Sequence, residues 1–165
     1  MVNHSQISRD NSIEIDEVLK TLGIINEELF SGKLPIENKS NIIYVCLIGY
    51  HGVNLKIKDG IIDIRHQDHV KFYWWLEHLI CCELSNRLKG SYFDDGVGEM
   101  GKENGIYTYS SFENFVTRNI KNRMGKKLPF KKFITKKYKK MIMEETYNIL
   151  PKDLYYEIIK IKPNV

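Results

Sequence analysis

NIIYVCLIGYHGVNLKIKDGIIDIRHQDHVKFYWWLEHLICCELSNRLKG, residues 41–90, decides the fold. Its first half reads as three short strands, Asn41 to Leu47, Gly52 to Ile57 and Ile61 to Arg65, because β-branched and aromatic residues concentrate there. Lys58-Asp59-Gly60 joins the last two, and Asp-Gly supplies the positive φ values that a two-residue hairpin turn requires. An antiparallel meander follows from this spacing. In the second half, residues 68–89 carry Phe72, Leu76, Leu79, Ile80, Leu84 and Leu88 at helical spacing. Trp75 and Cys82 widen that apolar face beyond half the circumference, which implies a helix buried on two sides. Gly90 stands where a C-terminal cap is wanted.

Upstream, Ile15, Val18, Leu19, Leu22, Ile25, Leu29 and Phe30 predict an amphipathic helix over residues 14–30, stopped by Ser31-Gly32. The first dozen residues, MVNHSQISRDNS, are polar and are expected to form a flexible tail; they lack the apolar stretch of a signal peptide. Downstream, SYFDDGVGEMGKENG reads as a strand fragment followed by a loop rich in glycine and acids. A helix is predicted from about Ser111 to Met124, with Phe112, Phe115, Val116 and Ile120 as its apolar side. After Gly125 and Pro129, a second begins near Lys131 and runs to Leu150, so that a basic helix occupies about residues 126–150. The alternation from Asp153 to Ile161 predicts a final strand. These elements give a single α+β domain over residues 13–165, a small, mostly antiparallel sheet packed by helices.

Composition narrows the class. At 165 residues with 42% apolar and 28% charged content, the chain can bury one substantial core. No run approaches the 18 apolar residues of a membrane span. Cys46 is solitary and Cys81 and Cys82 are adjacent, which suits a reducing compartment, and a soluble cytoplasmic protein is expected.

Charge is strongly segregated. Between Glu113 and Glu144 there is no carboxylate, and Arg118, Lys121, Arg123, Lys126, Lys127, Lys131, Lys132, Lys136, Lys137, Lys139 and Lys140 lie there. Without those eleven, 14 basic residues face 21 acidic ones, so a body of charge −7 carries a segment of +11. Phe130, Phe133 and Tyr138 interleave with the lysine pairs. That pattern suits a nucleic-acid surface, an anionic membrane or an acidic protein face, and equally a solvated helix whose aromatic residues are core. The dominance of lysine over arginine weakens the case for base readout.

Four further features bear on chemistry. His78 and Cys82 stand four apart on the central helix, a spacing that places two ligands on one face; with Asp94 they are the candidate metal ligands, although two polarisable residues of a buried helix read the same way. Glu83 falls within the apolar arc with Arg87 one turn on, and a structural Glu83–Arg87 pair is the favoured reading. Asp94, Asp95, Glu99 and Glu103 cluster on the acidic loop, which suits partner recognition better than calcium, since the twelve-residue ligand pattern is missing. His66 and His69 flank the start of the central helix, and with His4 and His51 they form no ligand spacing. No Walker loop, GxGxxG, GxSxG or paired CxxC is present, which argues against the enzyme families that carry those motifs.

Two resemblances accompany these readings. NEELFSGKLP (Asn26 to Pro35), the strand-rich middle and HLICCELSNRLKG (His78 to Gly90) resemble, over Ile25 to Asp95, the layout of SprT-like zinc metallopeptidases, whose first helix ends in a similar phrase before strands and an HExxH helix. At the motif positions this chain has His78, Leu79 and Cys82. One ligand survives, leucine replaces the catalytic glutamate and cysteine the second histidine, so the resemblance implies a catalytically degenerate relative without a general base. The layout of nearly the whole chain, with its buried helix ending in Gly90-Ser91-Tyr92-Phe93-Asp94-Asp95-Gly96 and its charged helical tail, is similar to small α+β immunity proteins of bacterial toxin systems. That resemblance implies a non-enzymatic module that neutralises a cognate toxin by direct binding. The expected contact residues are Asp94, Asp95, Glu99 and Glu103, or Lys126, Lys127, Lys131, Lys132, Lys136, Lys137, Lys139 and Lys140, with no cofactor. A nucleic-acid-binding domain using residues 118–140 is the first alternative and the degenerate metallopeptidase the second.

Overall fold

The computed structural model describes residues 3–48, 51–66, 71–95, 98–109 and 144–161. The helix predicted from Ser111 to Met124 and the predicted basic helix up to residue 143 lie outside these residues, as do all eight lysines from Lys126 to Lys140.

The meander forms as the turn chemistry requires. Strands β3 (Ile42–Ile48), β4 (His51–Lys58) and β5 (Ile61–His66) pair antiparallel, and Asp59 and Gly60 both take positive φ, 55° and 74°, in the hairpin between the last two. A second two-residue turn, Ser40-Asn41 with φ 52° and 64°, adds a strand the sequence reading missed, β2 (Ile36–Lys39). Cys46, at φ 55°, sits where the β3–β4 register shifts between Val45 and Ile48.

The N-terminus corrects an expectation. Within the predicted flexible tail, Asn3–Ser8 is strand β1, inserted between β5 and β6 (Ser91–Asp94) and paired antiparallel with both. Ile7 supplies one apolar anchor among polar neighbours, so pairing on both sides, not local hydrophobic alternation, builds this strand. With β7 (Gly98–Glu99) the sheet has seven strands in the order β2-β3-β4-β5-β1-β6-β7. A small hairpin, β8 (Lys102–Glu103) and β9 (Ile106–Tyr107), turns at Asn104-Gly105 within the predicted acidic loop.

Helices cover one face. α1 (Ile15–Phe30) buries Val18, Leu22, Ile25 and Phe30 and ends at Ser31, whose φ of 53° closes it in the left-handed region. α2 (Lys71–Arg87) packs against β1, β4, β5, β6 and β9, and every residue from Phe72 to Cys82 is buried, as the wide apolar face predicted. Gly90 is needed for space and not for φ. The left-handed residue is Lys89, while a Cβ at Gly90 would stand 2.8 Å from the Ser8 carbonyl oxygen and 3.0 Å from Ile7 Cγ2. The predicted final strand is instead helix α3 (Lys152–Lys160): Leu154 and Ile158, four apart, bury one face against α1, a periodicity that Asp153–Ile161 satisfies as well as alternation does. Residues 144–149, the end of the predicted basic helix, are helical. Together these elements form one α+β core of helices on a mostly antiparallel sheet. Among the described residues no helix is long and apolar enough to cross a membrane.

Candidate functional site

The two faces of the sheet carry different chemistry. On the helix side lies a cluster of buried polar groups that the sequence reading largely missed. β1 contributes Ser5, β5 contributes His66, β6 contributes Asp94 and α2 contributes Glu77, His78, Cys81 and Cys82. The Ser5 hydroxyl lies 3.2 Å from Glu77 Oε2 and 3.1 Å from Asp94 Oδ2, and His66 Nδ1 is 3.3 Å from Glu77 Oε1. Ser5 and His66 are 0% exposed and Glu77 1%. A hydroxyl has one proton to give, so Ser5 serves the two carboxylates as a bridge between β1, β6 and α2. Register pairing fixes this: Ser5 stands opposite Ile64 on one side and Asp94 on the other, so both polar side chains point under the helix.

The predicted metal ligands His78, Cys82 and Asp94 belong to this cluster without coming together as one site. His78 Nε2 is 3.7 Å from Cys82 Sγ, as the four-residue spacing demands, and His78 Nδ1 is 3.2 Å from the Tyr92 hydroxyl. Asp94 meets Ser5 instead. Among the described residues no three His, Cys, Asp or Glu side chains come together as a metal site. Leu79, at the position of the metallopeptidase glutamate, is core.

Burial governs the protonation of this interior. It pushes the Cys81 thiol well above its usual range, an effect reinforced by Glu77, Cys82 and Asp94 and opposed in part by the Ser5 hydroxyl. Tyr92 is raised for the same first reason, with Cys81 and Asp94 adding to it. Desolvation alone lifts Cys46 to about 12. The hydrogen bonds from Ser5 to Glu77 and Asp94 tie β1 to both α2 and β6.

Glu83 is paired as expected. Its carboxylate accepts from Arg87 Nε at 3.1 Å, and Arg87 also bonds Glu28, which joins α2 to α1; the Arg87 guanidinium holds the Glu28 carboxyl below its usual range. Glu77 is the carboxylate inside the apolar core, and Glu83 lies at its edge.

Among the described residues no helix or strand covers the other face. Two rows of side chains run across it in register. Glu37, Tyr44, Asn54, Arg65 and His4 form one, and Lys39, Ile42, Lys56, Asp63, Gln6, Phe93 and Glu99 the other. Each of these residues is exposed or half-buried, and Phe93 is 45% exposed. Arg65 reaches Asp63 at 3.1 Å, His4 bonds the same carboxylate, and Asp95 Oδ2 stands 4.0 Å from His4 Nδ1. Ile42, Asn54, Lys56, Asp63 and Arg65 line a shallow depression of about 210 Å³ at the centre.

No protein-family model, curated protein or solved structure matches the chain.

Of the four predicted acidic contact residues, Glu99 lies exposed on the open face and Asp95 beside it. Asp94 must be withdrawn from that surface, because its position in β6 turns its carboxylate inward to Ser5. Glu103 belongs to β8, outside the seven-stranded sheet.

Proposed function

We propose that the protein acts by binding another protein, as an immunity protein that neutralises a cognate bacterial toxin by direct contact. The observation that carries this reading is the open face of the sheet. It offers Arg65, Tyr44 and Phe93 among amides and charges of both signs, around a shallow depression. Aromatic residues and arginine are the side chains that most often anchor protein interfaces, and mixed charges around them select the partner. An antiparallel sheet backed by a well-packed α2 fixes the backbone that carries those groups, so that binding need order only their side chains. The Ser5, His66 and Glu77 groups on the opposite side lie sealed beneath α2, where a substrate cannot touch them.

The test is growth rescue. The protein encoded beside this one is expressed alone and with this chain, and rescue is compared with that given by a variant carrying Arg65→Glu and Phe93→Ser. Rescue by the native chain, lost in the variant while its circular dichroism spectrum is retained, is the expected result. Equal rescue by both chains overturns the assignment to this face. Failure of the native chain to bind or rescue, together with salt-dependent retention of single-stranded DNA, transfers the function to the lysine segment.

A further inference from the structure

The sheet ends at β2, and that edge carries a charge pattern that matches its own copy. Ser40 and Asn41 form a two-residue turn with both φ values positive, so Lys39 and Ile42 are the hydrogen-bonded pair that closes the hairpin. The Pro35 carbonyl accepts from the Cys46 N–H at 2.7 Å, which sets the same parity from the other end of the strand. Backbone groups of Pro35, Glu37 and Lys39 therefore face β3, and those of Ile36 and Asn38 face outward from the sheet. Among the described residues no strand pairs with that outer edge, and Glu37, Asn38 and Lys39 are all exposed.

An antiparallel copy of β2 can meet these outward groups in three registers, of which the one with Ile36 opposite itself sets Glu37 against Pro35 and forms no ion pair. With Ile36 opposite Asn38 of the second copy, Glu37 stands directly opposite itself, two carboxylates in contact. With Asn38 opposite itself, the two Asn38 residues exchange both N–H···O=C bonds on the twofold axis. In that register Glu37 faces Lys39 of the other copy, and Lys39 faces Glu37. Like charges directly opposite are unfavourable and opposite charges favourable, so charge selects the register with Asn38 opposite itself. Within one chain, Lys39 Nζ and Glu37 Oε2 are already 3.0 Å apart, with side chains 63% and 52% exposed, so pairing exchanges one exposed ion pair in each copy for two across the axis. A short strand bearing lysine normally deters pairing with other chains, and here the same charges make the edge selective for itself.

We propose that β2 is a homodimer interface, through which two copies pair antiparallel about Asn38 and join their sheets edge to edge. The interface is isologous and small, which places it among weak, transient associations. Because Glu37 and Lys39 lie on the same side of the sheet as Tyr44, Arg65 and Phe93, the pair would set two open faces next to each other.

Sedimentation equilibrium of the full chain tests this, with Glu37→Lys and Lys39→Glu as separate variants. Both positions are exposed, so neither substitution threatens the core. Each variant alone would place like charges across the axis and is expected to self-associate about tenfold more weakly than the native chain. An equimolar mixture restores complementarity at both pairs and should associate within about threefold of the native constant. A native chain that stays monomeric to about 1 mM overturns the proposal. So does a dimer that Glu37→Lys leaves unchanged, or a mixture that associates no better than its components.

Discussion

Raising the pH should destabilise this protein, and the size of the effect follows from four buried acids. Burial lifts Cys46 to about 12 from 9.0, Cys81 well above the same value, and Tyr73 and Tyr92 above 10.0. The folded chain therefore keeps protons that the unfolded chain gives up, and stability that is complete below pH 9 is lost as pH rises past it. At about pH 10 each unfolded thiol is ten to one ionised, which costs about 1.4 kcal/mol per thiol, and the two tyrosines add about 0.4 kcal/mol each. The sum, about 3.5 kcal/mol, is a large share of a stability of about 5–15 kcal/mol. Urea titrations under reducing conditions, run from about pH 7.5 to pH 10, read it directly. With a slope of about 2 kcal/mol per molar urea, the midpoint should fall by nearly 2 M. Cys46→Ala removes one titrating group, and whatever its constant cost at φ 55°, it should flatten the pH dependence by about 1.4 kcal/mol. Equal midpoints at both ends of the range, or an unchanged slope in Cys46→Ala, would refute the argument.

Three other perturbations separate the parts of the fold. Ser5→Ala removes the hydroxyl that Glu77 and Asp94 share and should destabilise the protein by about 1–3 kcal/mol by urea unfolding, a large loss for one oxygen. Gly90→Ala forces a methyl group against the Ser8 carbonyl at 2.8 Å and should cost about 1–3 kcal/mol; a neutral result would mean that β1 does not pass so close to the end of α2. Leu154→Ala should cost about 2–5 kcal/mol, while Tyr156→Ser, on the exposed side of α3, should stay within about 0.5 kcal/mol; comparable losses at the two sites would argue for the strand that alternation predicted.

Local chemistry alone determined the meander, its Asp59-Gly60 turn, the first helix and the doubly buried α2, because turn conformation and hydrophobic period are properties of neighbouring residues. The Glu83–Arg87 pair was legible for the same reason, since four residues of helix bring the two together. Tertiary structure decided the rest. Asn3–Ser8 carries little hydrophobic pattern and becomes a strand because β5 and β6 pair with it on either side. Only that pairing turns Ser5 and Asp94 beneath α2, where Glu77 meets Ser5, and the Ser5–Glu77 and Ser5–Asp94 contacts span 72 and 89 positions of chain, too far to be read from sequence. Gly90 does cap α2, its N–H donating to the Ser85 carbonyl at 2.8 Å, but the reason it must be glycine, the clearance for β1, came only from the tertiary structure. In α3, two apolar positions four apart fit helix and strand patterns alike until α1 offered a surface to bury them. The open face was equally silent in sequence, because its rows draw one or two residues from each strand, and register between strands is what places Glu37, Tyr44, Asn54, Arg65 and His4 in line.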